Sequence, residues 1–306
     1  MHTTKDVPLV SVLIPTHNRK DKLINAVSSV LQQTIQSFEV FILDDASTED
    51  LAEVAQQFND LRIIHHRKEE KSNANVMRNI GLRIARGQYI AFLDSDDEWL
   101  SNHLETKLSL LTKLNVDGVF GSCFIDDGFE RKYTASKPLE HGNHPVNYLL
   151  SDGFAPIPSW VLKASSAKNL SFDETLKRHQ DYDYFIRFSN LHKWVADWEP
   201  TLIVHWQLGA VRNFDFNSER IFIQKYASHI ERRILCQYSY KHYHQWKTLK
   251  NKEAYTHYKK LMIRHIDFVT FNQFNQLQVT QQRFLFPIRW LTYSFLLVAK
   301  HFRRIA

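Results

Sequence analysis

Asp94-Ser95-Asp96-Asp97 puts three carboxylates in four residues, directly after the apolar run Tyr89 to Leu93. Their mutual repulsion is relieved if a divalent cation sits among them, because hard oxygen ligands suit magnesium or manganese. Such ions take one or two protein carboxylates and complete their shell with phosphate and water, so the cluster reads as a metal and diphosphate site. The competing reading is a solvated acidic turn that caps the next helix. Asp44-Asp45 follows the run Phe38 to Leu43 and carries the same ambiguity, and Pro15-Thr16-His17-Asn18-Arg19 follows a third run, Val10 to Ile14. Three polar clusters at equivalent strand ends are more specific than any one of them, because open α/β sheets bind ligands at the carboxyl ends of their strands.

The elements that would position these clusters can be read from periodicity. Short apolar runs alternate with helical patterns, which predicts βαβ units and a mainly parallel sheet. The first strand is expected to stop at Pro15. Leu23, Ala26, Val27, Val30 and Leu31 predict a helix over 20–33, and Leu51, Val54, Ala55 and Phe58 predict another before a short strand at 62–65. A helix over 75–85, stopped near Gly87, should lead into the strand that ends at the DSDD cluster. A helix over 102–114 precedes one apolar run, Gly118 to Ile125, after which Pro138, Pro145, Pro156 and Pro158 mark loops and short strands around a pocket. Phe222, Tyr226, Ile230 and Ile234 read as one amphipathic core helix.

With 306 residues, 43% hydrophobic and 24% charged, the chain can bury a substantial core. Cys123 and Cys236 have no CxxC pairing, which argues against a disulfide scaffold or a structural zinc site and for a reducing cytoplasm. No leader is expected, because the N-terminus lacks a basic segment followed by an apolar stretch. No run approaches the ~20 apolar residues of a membrane-spanning helix. Charge is uneven: 23 Lys and Arg stand against 29 Asp and Glu through residue 218, and 16 against 4 beyond it. Residues 284–304 mix Phe, Trp, Leu and Val with four cations and no acid, which suits a helix in the interface of an anionic membrane or one packed on the protein body. A nucleic-acid partner is not expected, because no recognised module accompanies the basic tail and the acidic body would repel phosphate backbones.

The ordered set VSVLIPTHNR (10–19), FEVFILDDAST (38–48), NVMRNIGLRIARGQYIAFLDSDDEW (75–99) and FDETLKRHQDYDYFIR (172–187) resembles glycosyltransferase family 2, inverting enzymes of the GT-A fold. The resemblance covers roughly residues 8–210. It implies an α/β, Rossmann-like, mainly parallel sheet flanked by helices. The catalytic domain would span 1–217, with a nucleotide-sugar half at about 8–117 and an acceptor half at 118–217. Residues 218–306 would form a basic, aromatic, helical extension. Pro15, Thr16 and His17 match the first nucleotide loop, where His17 stands at a position usually held by Tyr and would pack on the donor base. The resemblance further puts Asp45 on the nucleobase, Arg78 by the base or diphosphate, Asp94 near the ribose and Asp96 on the metal, Mn2+ or Mg2+. Asp97 would hold the loop.

The fourth motif normally reads Glu-Asp and here reads Gln180-Asp181. The resemblance makes Asp181 the general base that takes a proton from the acceptor hydroxyl, a task that suits a carboxylate in a partly desolvated pocket. Asp183 is its nearby competitor. His205, in LIVHW, would reach the metal, and Trp160, Trp194, Trp198 and Trp206 stand on the acceptor side, where each by itself is better explained as core than as a sugar platform. The expected activity is metal-assisted transfer, with inversion, from a nucleotide-sugar, by default UDP-linked, to a hydroxyl of a glycan or lipid-linked acceptor. The setting would be cytoplasmic, on the inner face of a bacterial membrane. The alternative is a non-catalytic nucleotide-sugar-binding or scaffold protein. A nucleotidyltransferase is disfavoured, since no Gly-rich, Lys-bearing loop follows the first strand.

Overall fold

The computed structural model describes residues 7–140, 142–151, 153–206 and 214–265. The tail segment 284–304 lies outside them. The chain divides into two units between Lys225 and Tyr226.

In the first unit, β1 (Val10–Thr16), α1 (Lys20–Leu31), β2 (Phe38–Asp44), α2 (Ala52–Phe58), β3 (Ile63–Arg67), α3 (Ala74–Ile84) and β4 (Tyr89–Phe92) alternate as the periodicity requires. There follow β5 (Glu98–Trp99), α4 (His103–Leu114), β6 (Gly118–Gly121), β7 (Cys123–Asp126), β8 (Arg131–Thr134) and α5 (Pro145–Leu150). The unit closes with β9 (Val161–Lys163), α6 (Ala164–Ala167), α7 (Gln180–Leu191), β10 (Trp194–Asp197), β11 (Leu202–His205) and most of α8 (Phe216–Tyr226). A seven-stranded sheet runs β10-β6-β9-β4-β1-β2-β3, parallel except for β9, which is antiparallel to both β4 and β6. A smaller sheet runs β5-β11-β7-β8. Every residue of β1 and β2 is buried, as expected of strands covered by helices on both faces. The stripe Leu23, Ala26, Val27 and Val30 of α1 packs into the same core.

Three expectations need correction. Pro15 does not stop β1, which continues to Thr16. Pro15 has the parity of Leu13, whose carbonyl accepts the Leu93 N–H at 3.1 Å, so its missing N–H falls beyond the end of the β4 ladder and costs nothing. The apolar run 118–125 is two strands in different sheets, split at Ser122. Ser122 is fully buried; its hydroxyl donates to the Asp197 carbonyl at 3.1 Å and accepts the Ser136 N–H at 2.9 Å. Phe222 and Tyr226 lie on α8 and Ile234 on the next helix, with Ile230 just past the turn that the His229 N–H closes on the Tyr226 carbonyl at 2.9 Å.

The second unit's described part is a helical hairpin, α9 (Arg232–Thr248) and α10 (Lys252–His265). Tyr238, His242 and Trp246 of α9 and Ala254, Tyr258 and Met262 of α10 are buried, with the Tyr238 and His242 rings stacked at 3.9 Å. No described helix is long and apolar enough to cross a membrane.

Candidate functional site

Register brings the sequence motifs to one sheet edge. Thr16 of β1 pairs with Asp44 of β2, and Leu13 pairs with Phe92 of β4, so the loops beginning at His17, Asp45 and Leu93 leave the sheet side by side. The first two loops are stitched together. Asn18, at φ 50°, accepts the Thr48 N–H at 2.7 Å through its side-chain oxygen, and its own N–H donates to Ser47 Oγ at 3.0 Å. His17 Nδ1 donates to the Asp45 carbonyl at 2.9 Å, which leaves Nε2 to accept from Lys71 Nζ at 2.8 Å. Asp45 takes the Ser72 N–H and hydroxyl on one carboxylate oxygen, Oδ1, at 2.7 and 2.6 Å.

One face of α3 carries Asn75, Arg78 and Asn79 at three- and four-residue spacing, all buried. The Asn75 amide donates to the carbonyls of Asp173 and Leu176, at 3.1 and 2.7 Å. Asn79 accepts the Phe172 N–H at 2.7 Å and donates to the Phe172 carbonyl at 3.0 Å. These amides clamp the segment leading to Asp181 onto the helix that carries Arg78. Arg78 is 4% exposed, lies over the Phe172 ring and donates to Asp94 at 2.6 Å. Sequence reading missed both asparagines, although polar residues on the buried stripe of an amphipathic helix were a signal. Asn79→Ala would strand the Phe172 N–H and carbonyl, at about 1–3 kcal/mol for each unsatisfied group. The expected result is a lower urea midpoint and a lower turnover with an unchanged nucleotide dissociation constant.

Asp181 lies in the first turn of α7, partly exposed. Burial pushes its carboxyl above the ordinary range, while the Tyr182 N–H and the charges of Arg78 and Arg178 pull the other way. The helix is fixed by rings: Tyr184 stacks on Phe172 at 4.3 Å, and Phe185 on Trp194 at 4.6 Å. Asp183 is fully buried and engaged by Arg187 Nε at 2.8 Å and Lys225 Nζ at 2.6 Å, so its role is structural. Trp160 and Trp194 belong to this aromatic core, whereas Trp198 and Trp206 are 56% and 51% exposed.

In the acidic turn, Asp97 points inward and accepts the His205 N–H at 3.1 Å. Burial, with Asp94 and Asp96 adding repulsion, raises its proton affinity well above that of an ordinary carboxyl. Asp96 faces out, pairs with Arg19 at 2.8 Å, and shares an open cleft of about 260 Å³ with Glu98, Asp126, Asp127 and His205. His205 Nε2 meets Glu98 Oε1 at 2.9 Å. No three acidic, His or Cys side chains converge as a chelating group among the described residues. The donor set therefore fits a hard cation held by one or two carboxylates plus substrate phosphate, and does not fit an all-protein cage. Buried polar atoms without partners recur on the same segments: Thr16 Oγ1, Asn75 Oδ1, Arg78 Nε and Nη1, Arg178 Nε and Gln180 Oε1. Buried groups of this kind call for an explanation, and a polar ligand supplies one.

Residues 11–168 match the family model described as glycosyl transferase family 2. The amylovoran biosynthesis glycosyltransferase AmsB of Erwinia amylovora is 34% identical over 213 residues, 66% of this chain and 70% of the relative. The UDP-Glc:alpha-D-GlcNAc-diphosphoundecaprenol beta-1,3-glucosyltransferase WfaP of Escherichia coli is 32% identical over 166 residues, 54% of this chain and 64% of the relative. Among solved structures, S. aureus TarS 1-349 in complex with UDP-GlcNAc superposes with a TM-score of 0.58 at 17% identity, covering 84% of this chain and 71% of that one.

Proposed function

Since the chain belongs to glycosyl transferase family 2 and has the GT-A fold, we propose that it transfers a sugar from a UDP-linked donor to a hydroxyl of a lipid-linked or surface glycan, with inversion. The observation that carries this reading is the clamp of α3 on the segment 172–176, which ties Arg78, the partner of Asp94, to the segment that leads to Asp181. Relatives named for amylovoran biosynthesis and for a diphosphoundecaprenol-linked acceptor support the setting.

The mechanism follows from the side chains. The spare oxygen of Asp45 accepts an N–H of the base, and the His17 ring, held between the Asp45 carbonyl and Lys71, packs beside it. Asp96 and His205 would hold Mn2+ or Mg2+, whose charge when bound offsets that of the departing nucleoside diphosphate. Arg78 brings buried, pre-oriented N–H groups to the same departing charge, and these gain strength in a site of low dielectric. Asp181 takes the acceptor proton as the hydroxyl oxygen bonds to the anomeric carbon. The bond from that carbon to the diphosphate oxygen breaks on the opposite face, and the configuration inverts. Contact with an anionic membrane through 284–304 belongs to the same reading.

Calorimetry with UDP, GDP, CDP and dTDP, with and without manganese, tests the donor half. One nucleotide should bind only with metal, and Asp96→Ala should abolish that binding. If no nucleotide binds in either condition, the reading fails.

A further inference from the structure

Arg178 is the unusual cation of the first unit. It lies just ahead of α7, partly exposed, with its guanidinium over the Phe214 ring at 5.9 Å. Among the described residues it makes no salt bridge and no hydrogen bond, and its Nε is buried without an acceptor. Other cations of the unit are matched: Arg78 holds Asp94, Arg187 and Lys225 hold Asp183, and Lys107 holds Asp197. A guanidinium whose Nε has given up its hydration with no hydrogen-bond acceptor in return is poised for an anion from outside the chain. Its planar fork of donors matches the oxygens of a phosphate.

Position narrows the source of that anion. Arg78 and Arg178 both act electrostatically on Asp181, so both charges lie within reach of that carboxylate. Arg78 commits one N–H to Asp94 and so belongs to the donor side. Arg178 has no ion pair or hydrogen bond with the Asp94–Asp97 turn, and its loop leads straight into the helix turn that carries Asp181. We propose that Arg178 is the subsite for a phosphate carried by the acceptor, so that the acceptor is a saccharide attached through phosphate and not a neutral glycan. This rests on Asp181 being the base that receives the acceptor hydroxyl. Gln180, two residues on, suits such a subsite because it is uncharged where a glutamate would repel the phosphate.

The test uses the full chain and N-acetylglucosamine 1-phosphate as probe, with N-acetylglucosamine as its uncharged control. Binding is followed by NMR titration with and without saturating UDP. The expected result is binding of the phosphate probe alongside UDP, about tenfold or more weaker in Arg178→Gln and largely restored in Arg178→Lys, with UDP affinity equal in all three. The Lys variant still reports on the charge if the Gln variant folds poorly. The proposal is overturned if UDP affinity falls with the probe's, which would put Arg178 on the donor. It is also overturned if charged and uncharged probes bind alike, or if neither substitution matters. Failure of the parent reading shows separately, as full turnover in Asp181→Asn or as no UDP binding by the unaltered protein, and the titration without UDP still reports on Arg178.

Discussion

Asp181→Asn should lower kcat by about 10²- to 10⁴-fold and leave the nucleotide dissociation constant unchanged. The amide keeps the shape and the N-terminal hydrogen bonding of α7 but cannot take a proton. The pH profile should carry the same signature. Burial raises the Asp181 pKa, so the basic form is lost as pH falls through that raised value, and kcat/KM should fall on an acid limb placed above the ordinary carboxylate range. The linkage to stability has the opposite sense. The folded state holds this proton more tightly than the unfolded chain, so the stabilisation is complete below the unfolded pKa and is lost as pH rises through the folded one. Asp181→Asn should therefore be slightly more resistant to urea at neutral pH than the unaltered protein. Turnover within tenfold of normal, or loss of nucleotide binding, would remove Asp181 from its assigned role.

Asp197→Ala should cost about 3–5 kcal/mol of stability, the largest loss expected from any single change outside the site. Lys107 on α4 is fully buried, and its ammonium meets Asp197 at the end of β10. Burial drives the Lys107 pKa down, and the Asp197 charge opposes the shift. With the carboxylate gone, the lysine must either stay charged without a partner or give up its proton. The Glu199 N–H, which donates to the other Asp197 oxygen at 3.0 Å, is also stranded. At about 2–4 °C per kcal/mol for a domain of this size, the melting temperature should fall by roughly 6–20 °C. The pair Lys107→Met with Asp197→Leu should recover much of the loss, because a packed apolar pair escapes the desolvation that the ion pair bears. Urea unfolding of the two single variants and the double variant measures the coupling. Additive losses would mean that the two side chains do not act as a pair. Gly121 is part of this arrangement: a Cβ there would collide with Lys107 Nζ.

The first half of the fold was legible because charge interrupts hydrophobicity abruptly. Asp44 and Asp94 end apolar runs where the ladder ends, so motif and strand end coincide. Lys107 was legible in principle, as a cation among Leu104, Leu108 and Leu111 on the buried side of α4, but nothing local named Asp197 as its partner. The run 118–125 shows the limit. A buried strand reports that it is covered on both faces and not which strand it pairs with, so β6 and β7 read as one. In the site, residue types were readable and engagements were not. Arg19 on Asp96, Asn79 on Phe172 and the half-buried Arg178 depend on segments that meet only after folding.

The antiparallel strand β9 sets an order on synthesis. β1 to β4 can complete their mutual hydrogen bonds once Phe92 has left the ribosome, because their ladder runs β3-β2-β1-β4. On the other side, β6 meets β4 only through β9. At ~5–20 residues per second, the chain from Phe92 to Val161 takes roughly 3–14 s to appear. Through that interval β4 presents an open edge, with Ile90 and Ala91 awaiting Leu162 and Val161. Three residues arriving late join two halves of a seven-stranded sheet, so a nascent chain stalled before Val161 carries the β3-β2-β1-β4 half beside an edge free to pair with another chain.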